Sequence, residues 1–123
     1  MSTNQLTSKI IGAAIEVHKH LGPGLLEHAY HESLAYELSQ RGLNVVSEKS
    51  LPVIYKTLEI KNGYRVDLII ENSVIVEVKA IDRVMDVHRS QILTYMRMAE
   101  CKTGLLINFH VKLLKEGIER FVL

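Results

Sequence analysis

Val74-Ile75-Val76-Glu77-Val78-Lys79-Ala80-Ile81 is a β-branched run that reads as a central strand buried on both faces, yet it carries two opposite charges. Glu77 and Lys79 lie two residues apart and so project from the same face. Charges inside a buried strand are costly unless they are paired, bound to a metal, or wetted in a cleft. A local Glu–Lys ion pair on a solvated face would satisfy that rule by itself. The preceding run, Arg65-Val66-Asp67-Leu68-Ile69-Ile70, changes the balance, because it too sets a carboxylate among apolar residues. Aspartate is poor in strands, since its side chain competes for backbone hydrogen bonds. An Asp on one strand and a Glu on its neighbour can hold a hard cation such as Mg²⁺ through oxygen ligands. Lys79 would then lie near an attacking water and a phosphate, where a metal lowers the pKa of water and neutralises phosphoryl charge.

Register decides whether these groups meet. A two-residue Asn72-Ser73 turn would pair Glu71 with Val74 and turn Asp67 away from Glu77. A three-residue connection, Glu71 to Ser73, pairs Ile70 with Val74 and sets Asp67 opposite Glu77 on one face. The site requires the longer connection or a bulge.

Working outward, Thr7 or Ser8 can cap a first helix whose Ile11, Ile15, His18 and Leu21 fall at helical spacing, with Gly22-Pro23-Gly24 as its stop. A second helix is predicted from about Leu25 to Arg41, with Leu26, Tyr30, Leu34 and Leu38 as its stripe and Gly42 as its terminator. Asn44 to Tyr55 reads as a strand that is bent or lies at an edge, because Pro52 interrupts it. Lys61-Asn62-Gly63 is a turn signal, and Tyr64–Glu71 and Val74–Ile81 are the next two strands. A third helix spans about Val87 to Ala99 with Ile92, Met96 and Ala99 facing inward. Leu105 to Phe109 reads as a buried strand and Glu119 to Leu123 as a last short one. The order α-α-β-β-β-α-β-β places a helix between two strands, so an α/β fold with a mixed central sheet flanked by helices is expected.

At 123 residues the chain suits one domain, 1–123, and 47% apolar residues suffice for a core. Low-complexity runs and internal repeats are absent. The single Cys101 excludes an internal disulfide and a cysteine-based zinc cluster. Met1-Ser2-Thr3-Asn4-Gln5 does not resemble a signal peptide, and no apolar run approaches the ~20 residues of a membrane span, so a cytoplasmic protein without membrane contact is expected. Fifteen Lys and Arg against 14 Asp and Glu give a net charge of +1, which is no global basic field. Lys112, Lys115 and Arg120 cluster near the C-terminus as a local basic patch or, more ordinarily, a solvated face.

Gln91 and Tyr95 are four apart and share a face of the third helix, next to Ile92 and Met96, from where they can reach the sheet cleft. A boundary tyrosine with a polar neighbour is the plainer alternative. His88, alone, reads as structural or solvated. Glu27 sits in the first turn of the second helix, where the dipole favours a carboxylate, and is also placed to aim at a metal, with Tyr30 one turn on for packing or positioning. His18, His20, His28 and His31 do not read as a zinc site, because His18 and His20 point apart and no cysteine supports them.

Taken together, Gly22-Pro23-Gly24-Leu25-Leu26-Glu27-His28-Ala29-Tyr30, Tyr64-Arg65-Val66-Asp67, Ile75-Val76-Glu77-Val78-Lys79 and Gln91-Ile92-Leu93-Thr94-Tyr95 resemble the GxxExxY proteins, with Gly24, Glu27 and Tyr30 at the named positions. That family is similar to a branch of the PD-(D/E)xK nuclease superfamily, and the resemblance runs from about Ile11 to the end. It implies a restriction-endonuclease-like core. It implies Mg²⁺ or Mn²⁺ held by Asp67 and Glu77, with the Val78 carbonyl as a further ligand, and Lys79 orienting or activating water. It also implies Glu27 as a helix-borne carboxylate on the metal, and Gln91 with Tyr95 as a Q-x-x-x-Y element. Val66 stands where the family pattern has proline.

Two functions follow. The first is a metal-dependent phosphodiesterase acting on DNA or RNA. The second is a catalytically silent nucleic-acid- or protein-binding module on the same fold, suggested by near-neutral charge and small size. In either case a second copy of the chain or a partner subunit could supply grip on the substrate.

Overall fold

Ser2 accepts the Gln5 backbone N–H at 3.2 Å while the Gln5 side chain accepts the Ser2 N–H at 2.8 Å, a reciprocal cap that starts the first helix earlier than Thr7 or Ser8. The computed structural model describes residues 1–123 and runs α1 (Thr3–Leu21), α2 (Glu27–Gln40), β1 (Val45–Tyr55), β2 (Leu58–Ile70), β3 (Val74–Lys79), α3 (Asp86–Met98), β4 (Thr103–Asn108) and β5 (Ile118–Val122). The five strands form one sheet in the order β1-β2-β3-β4-β5, parallel only between β3 and β4, with α3 as the crossover joining them. This is the expected α/β architecture in the expected order.

Two cores lie on opposite faces of the sheet. On one, Ile10, Ala13, Ala14 and Val17 of α1 and Tyr30, Leu34 and Leu38 of α2 cover Leu68, Ile70, Val74, Val76 and Val78. On the other, Ile92 and Met96 of α3 pack on Val66, Ile69, Ile75 and Leu106. β3 is thus buried on both sides, as its unbroken β-branched run requires. None of the helices is long and apolar enough to cross a membrane.

Three local expectations need correction. The inner stripe of α1 is Leu6, Ile10, Ala13, Ala14 and Val17, whereas Ile11, Ile15 and Leu21 only flank the core. Small alanines let the helix approach the sheet closely, and a stripe sought among large residues comes out rotated. Leu26 is 82% exposed and is the N-cap residue of α2, so the stripe of that helix starts at Tyr30. Lys61-Asn62-Gly63 does not close the hairpin. β2 runs through it, and the reversal occurs at Lys56-Thr57, between paired Tyr55 and Leu58, with Lys56 at φ 53°.

The turn signal marks a bulge instead. Pairing shifts between Leu51↔Tyr64 and Val53↔Ile60, leaving Pro52 on one strand against Lys61–Gly63 on the other. Pro52, which has no N–H to donate, is tolerated there on the edge strand β1. Gly63 is needed for close approach, since a Cβ there would collide with the Val53 side chain.

Candidate active site

The β2–β3 connection is the three-residue form. Ile70 pairs with Val74, and Glu71 and Asn72 take left-handed φ of 52° and 55°. Pairing continues through Ile69↔Ile75 to Leu68↔Val76 and stops there. Beyond that point β2 stays with β1, through Val66↔Lys49 and Arg65↔Ser50, while β3 stays with β4 as far as Lys79↔Asn108. The two strands fork, and Asp67, Glu77 and Lys79 stand at the fork.

The fork is held by exchanged carboxylates. Glu77 Oε2 accepts the Asp67 backbone N–H at 2.8 Å, and Asp67 Oδ2 accepts the Val78 N–H at 2.8 Å. Each side chain satisfies a donor that the interrupted ladder leaves open. Each carboxylate keeps a second oxygen that accepts no hydrogen bond from the protein. No buried side-chain oxygen lacks a partner, so the second oxygen of Glu77 retains access to water although the residue is only 4% exposed.

Burial pushes the Glu77 carboxyl up from its ordinary 4.5 to about 8, reinforced by the negative Asp67 and Glu27 and opposed by the Asp67 backbone hydrogen bond and by Lys79. Lys79 forms no ion pair within 4.0 Å and no side-chain hydrogen bond, so its ammonium is available to a ligand.

Glu27, in the first turn of α2, lies close enough to Asp67 and Lys79 to feel both. The residue is at the surface, but partial burial of its carboxyl raises its pKa; Lys79 lowers it, Asp67 raises it and His31 lowers it. Tyr95 reaches the site from α3. Burial raises the pKa of its hydroxyl, and the charges of Glu77 and Asp67 add to the effect. Its ring stands edge-on to Tyr64 with centroids 5.4 Å apart. Gln91 is exposed one turn away, in a cleft with Gly63, Tyr64 and Thr94, and has no hydrogen bond to the charged set. The structure therefore brings together Asp67, Glu77, Lys79, Glu27 and Tyr95 and leaves Gln91 at their margin.

Tyr30 is wholly buried. It donates to the Gly22 carbonyl, accepts the Leu25 N–H at 3.0 Å and stacks on Phe109 with centroids 4.6 Å apart, so it packs and positions the loop before Glu27. The histidines disperse. His18 Nε2 lies 2.8 Å from the Val111 carbonyl, His31 Nε2 lies 2.8 Å from Ser47 Oγ, and His20 and His28 face Glu16 and Glu32. His88 Nδ1 accepts the Met85 N–H at 2.9 Å and caps α3.

Two neighbours of the site escaped the sequence reading. Asn108, 3% exposed, accepts from the Ile81 N–H at 3.1 Å and donates to the Ile81 carbonyl at 2.9 Å, pinning the chain just past Lys79. Its signal was a polar residue inside the apolar Leu105–Phe109 run, the same anomaly that singled out Asp67. His31, i+4 from Glu27, is buried against β1, but its spacing among three other histidines drew attention to zinc instead.

A profile of the PD-(D/E)XK nuclease superfamily matches residues 4–121. The chain belongs to that superfamily. Neither a curated protein nor a solved structure gives a match. The mixed five-stranded sheet with helices on both faces is the restriction-endonuclease-like arrangement of a PD-(D/E)XK domain, and membership points to nuclease-type chemistry on nucleic acid.

The donor set can be weighed for a metal. No three His, Cys, Asp or Glu side chains converge tightly enough to hold one ion. Asp67 and Glu77 form a pair, and Glu27 stands outside it. Two oxygen ligands, each with an oxygen left free of protein hydrogen bonds, fit a hard divalent ion that keeps several of its waters.

Proposed function

We propose that this chain is a single-domain, metal-dependent phosphodiesterase of the GxxExxY branch, acting on DNA or RNA. One observation carries the reading: the β2–β3 ladder ends where Asp67 and Glu77 take each other's backbone donors, with the unpaired Lys79 beside them. Lys79 is partly exposed at the end of the strand that carries Glu77, so its unpaired ammonium can meet a phosphate.

In this reading Asp67, Glu77 and the Val78 carbonyl hold Mg²⁺ or Mn²⁺, which when bound supplies Lewis-acid charge and a more acidic water. Val78 can contribute only through that carbonyl, since its side chain is in the core and its N–H binds Asp67. Lys79 donates to the attacking water or a phosphoryl oxygen. Tyr95, whose hydroxyl stays protonated, donates to a phosphate oxygen, and Gln91 extends that contact along the cleft shared with Tyr64. Glu27 holds a proton more readily than an ordinary carboxyl and serves at the leaving side or as an outer metal contact.

The test is cleavage of single- and double-stranded DNA and RNA with Mg²⁺ or Mn²⁺, comparing wild type with Lys79→Ala. Metal-dependent cleavage lost in the variant is expected; cleavage that persists refutes the assigned site. A second reading has its own support. The exchanged carboxylates also serve as caps for two strand ends, and no third acidic ligand converges. A silent binding module would then show no Mn²⁺ affinity, and Asp67→Asn would leave partner binding intact.

A further inference from the structure

We infer that a lysine-lined groove beside α1 is the track for the phosphodiester backbone of a single nucleic-acid strand leading to the fork. Lys19, Lys112 and Lys115 line this groove of about 490 Å³, over a floor that includes Ile15 and Leu114, with Gly22-Pro23 as one wall and no carboxylate among its lining residues. All three lysines are exposed, and none is in an ion pair. Arg120, which the sequence sets near Lys112 and Lys115, does not line the groove, and its guanidinium donates to Asn4 at 2.9 Å. Lys19 takes its place.

The groove is tied to the site by direct contacts. The Phe109 N–H donates to the Lys79 carbonyl at 2.8 Å, the Phe109 ring stacks on Tyr30, and the Tyr30 hydroxyl donates to Gly22 in the groove wall. His18 fixes the opposite side, its Nε2 2.8 Å from the carbonyl of Val111, next to Lys112. Both the loop bearing Lys112 and β3 bearing Lys79 leave the sheet at the carboxyl end of the parallel pair β3–β4.

Charge sorting supports a polyanion as occupant. The neighbouring α1–α2 groove, of about 600 Å³, is lined by Glu16, Glu32 and Glu37. A net charge of +1 therefore conceals a basic groove and an acidic one side by side on α1. Phosphate contacts by free lysines bind a strand without reading its sequence and make affinity fall with salt. The groove also supplies the grip whose absence argued for a partner subunit.

This inference rests on the nuclease reading only for the strand's destination, and the two fail separately. The probe is a fluorescein-labelled 20-nucleotide single strand of mixed sequence, as DNA and as RNA, titrated with the full chain in EDTA across a salt series. Lys19→Ala/Lys112→Ala/Lys115→Ala should weaken binding on the order of tenfold or more at low salt and make the log–log salt slope shallower by about 2. Lys9→Ala/Lys56→Ala/Lys61→Ala removes equal charge elsewhere and should leave the slope unchanged. Equal binding by wild type and the groove variant, equal loss in both triple variants, or no binding by wild type would overturn the inference. Lysine-dependent binding without cleavage under Mg²⁺ or Mn²⁺ would sink the nuclease reading and keep this one. Cleavage that the groove variant performs as well as wild type would do the reverse.

Discussion

The two ends of the β2–β3 pair belong to the same two strands and do opposite work. At the hairpin end, Ile70↔Val74 and Ile69↔Ile75 are paired, with Ile70 and Val74 packed under α1 and α2 and Ile69 and Ile75 under α3. Three residues further on, pairing gives way to two carboxylates and a lysine. A strand pair can lose its ladder only where side chains take over the exposed donors, because unpaired buried N–H groups cost about 1–3 kcal/mol each. The carboxylates thus meet a structural need and a chemical one with different oxygens. Substituting Lys79, the open-end residue without a partner, should change chemistry with little effect on folding; losing either carboxylate should affect both, and substitutions at the closed end should affect folding alone.

The largest contrast is expected for Lys79→Ala. Removing a charge donor that acts on the developing phosphoryl charge should lower single-turnover cleavage by about 10²–10³-fold. Because the Lys79 side chain has no partner in the fold, the variant's unfolding free energy in urea should change by no more than about 0.5 kcal/mol. A large loss of stability would show that Lys79 belongs to the closed end in its energetics. Ile70→Ala, one strand-end away and fully buried, should cost about 2–5 kcal/mol in urea unfolding while the folded fraction retains its rate.

The pH response separates the ends again. Glu77 has a carboxyl pushed up to about 8 in the fold and an ordinary value near 4.5 when unfolded. The native state therefore binds the extra proton between these values. Stability from this group is complete below about 4.5 and is lost as pH rises through about 8. Metal-free wild type should unfold more easily at pH 8.5 than at pH 5, and Glu77→Gln should flatten that trend. Mn²⁺ requires the ionised form, so its stabilising effect on thermal unfolding should grow from pH 6 to pH 8.5, and chelation with EDTA should abolish it. A metal effect independent of pH would separate the ion from Glu77.

The same contrast explains what could be read from the sequence. Closed-end features were legible because continuous apolar runs and a register rule act locally: of the two connections the sequence left open, the strands adopt the three-residue form that sets Asp67 and Glu77 on one face. The bulge was not, because Lys61-Asn62-Gly63 carries the residues of a turn while its actual role depends on Pro52 and Val53 across the ladder. Lys56-Thr57 reverses the chain without turn residues, a choice imposed by the strand pairing on either side. Helix faces went wrong where small residues, Ala13 and Ala14, carry the contact. In the site, Asp67, Glu77 and Lys79 announced themselves as charges in apolar runs. Asn108 gave the same signal and passed unread because a neutral side chain carries less alarm than a charge.

The smallest expected effect belongs to Tyr30, which joins the closed core to the open site. Its ring is core, stacked on Phe109, while its hydroxyl holds Gly22 and Leu25 ahead of Glu27. Tyr30→Phe keeps the ring and should cost only about 1–2 kcal/mol, the range for lost buried hydrogen bonds. The loop is then free to move, so the variant's effect on cleavage should appear chiefly in substrate affinity, through Glu27 and the Gly22-Pro23 wall of the lysine groove. Tyr30→Ala would add the loss of a buried aromatic, about 3–5 kcal/mol, and measure the core instead. A Tyr30→Phe protein with unaltered KM but a falling kcat would place the loop's role in the chemical step and not in binding.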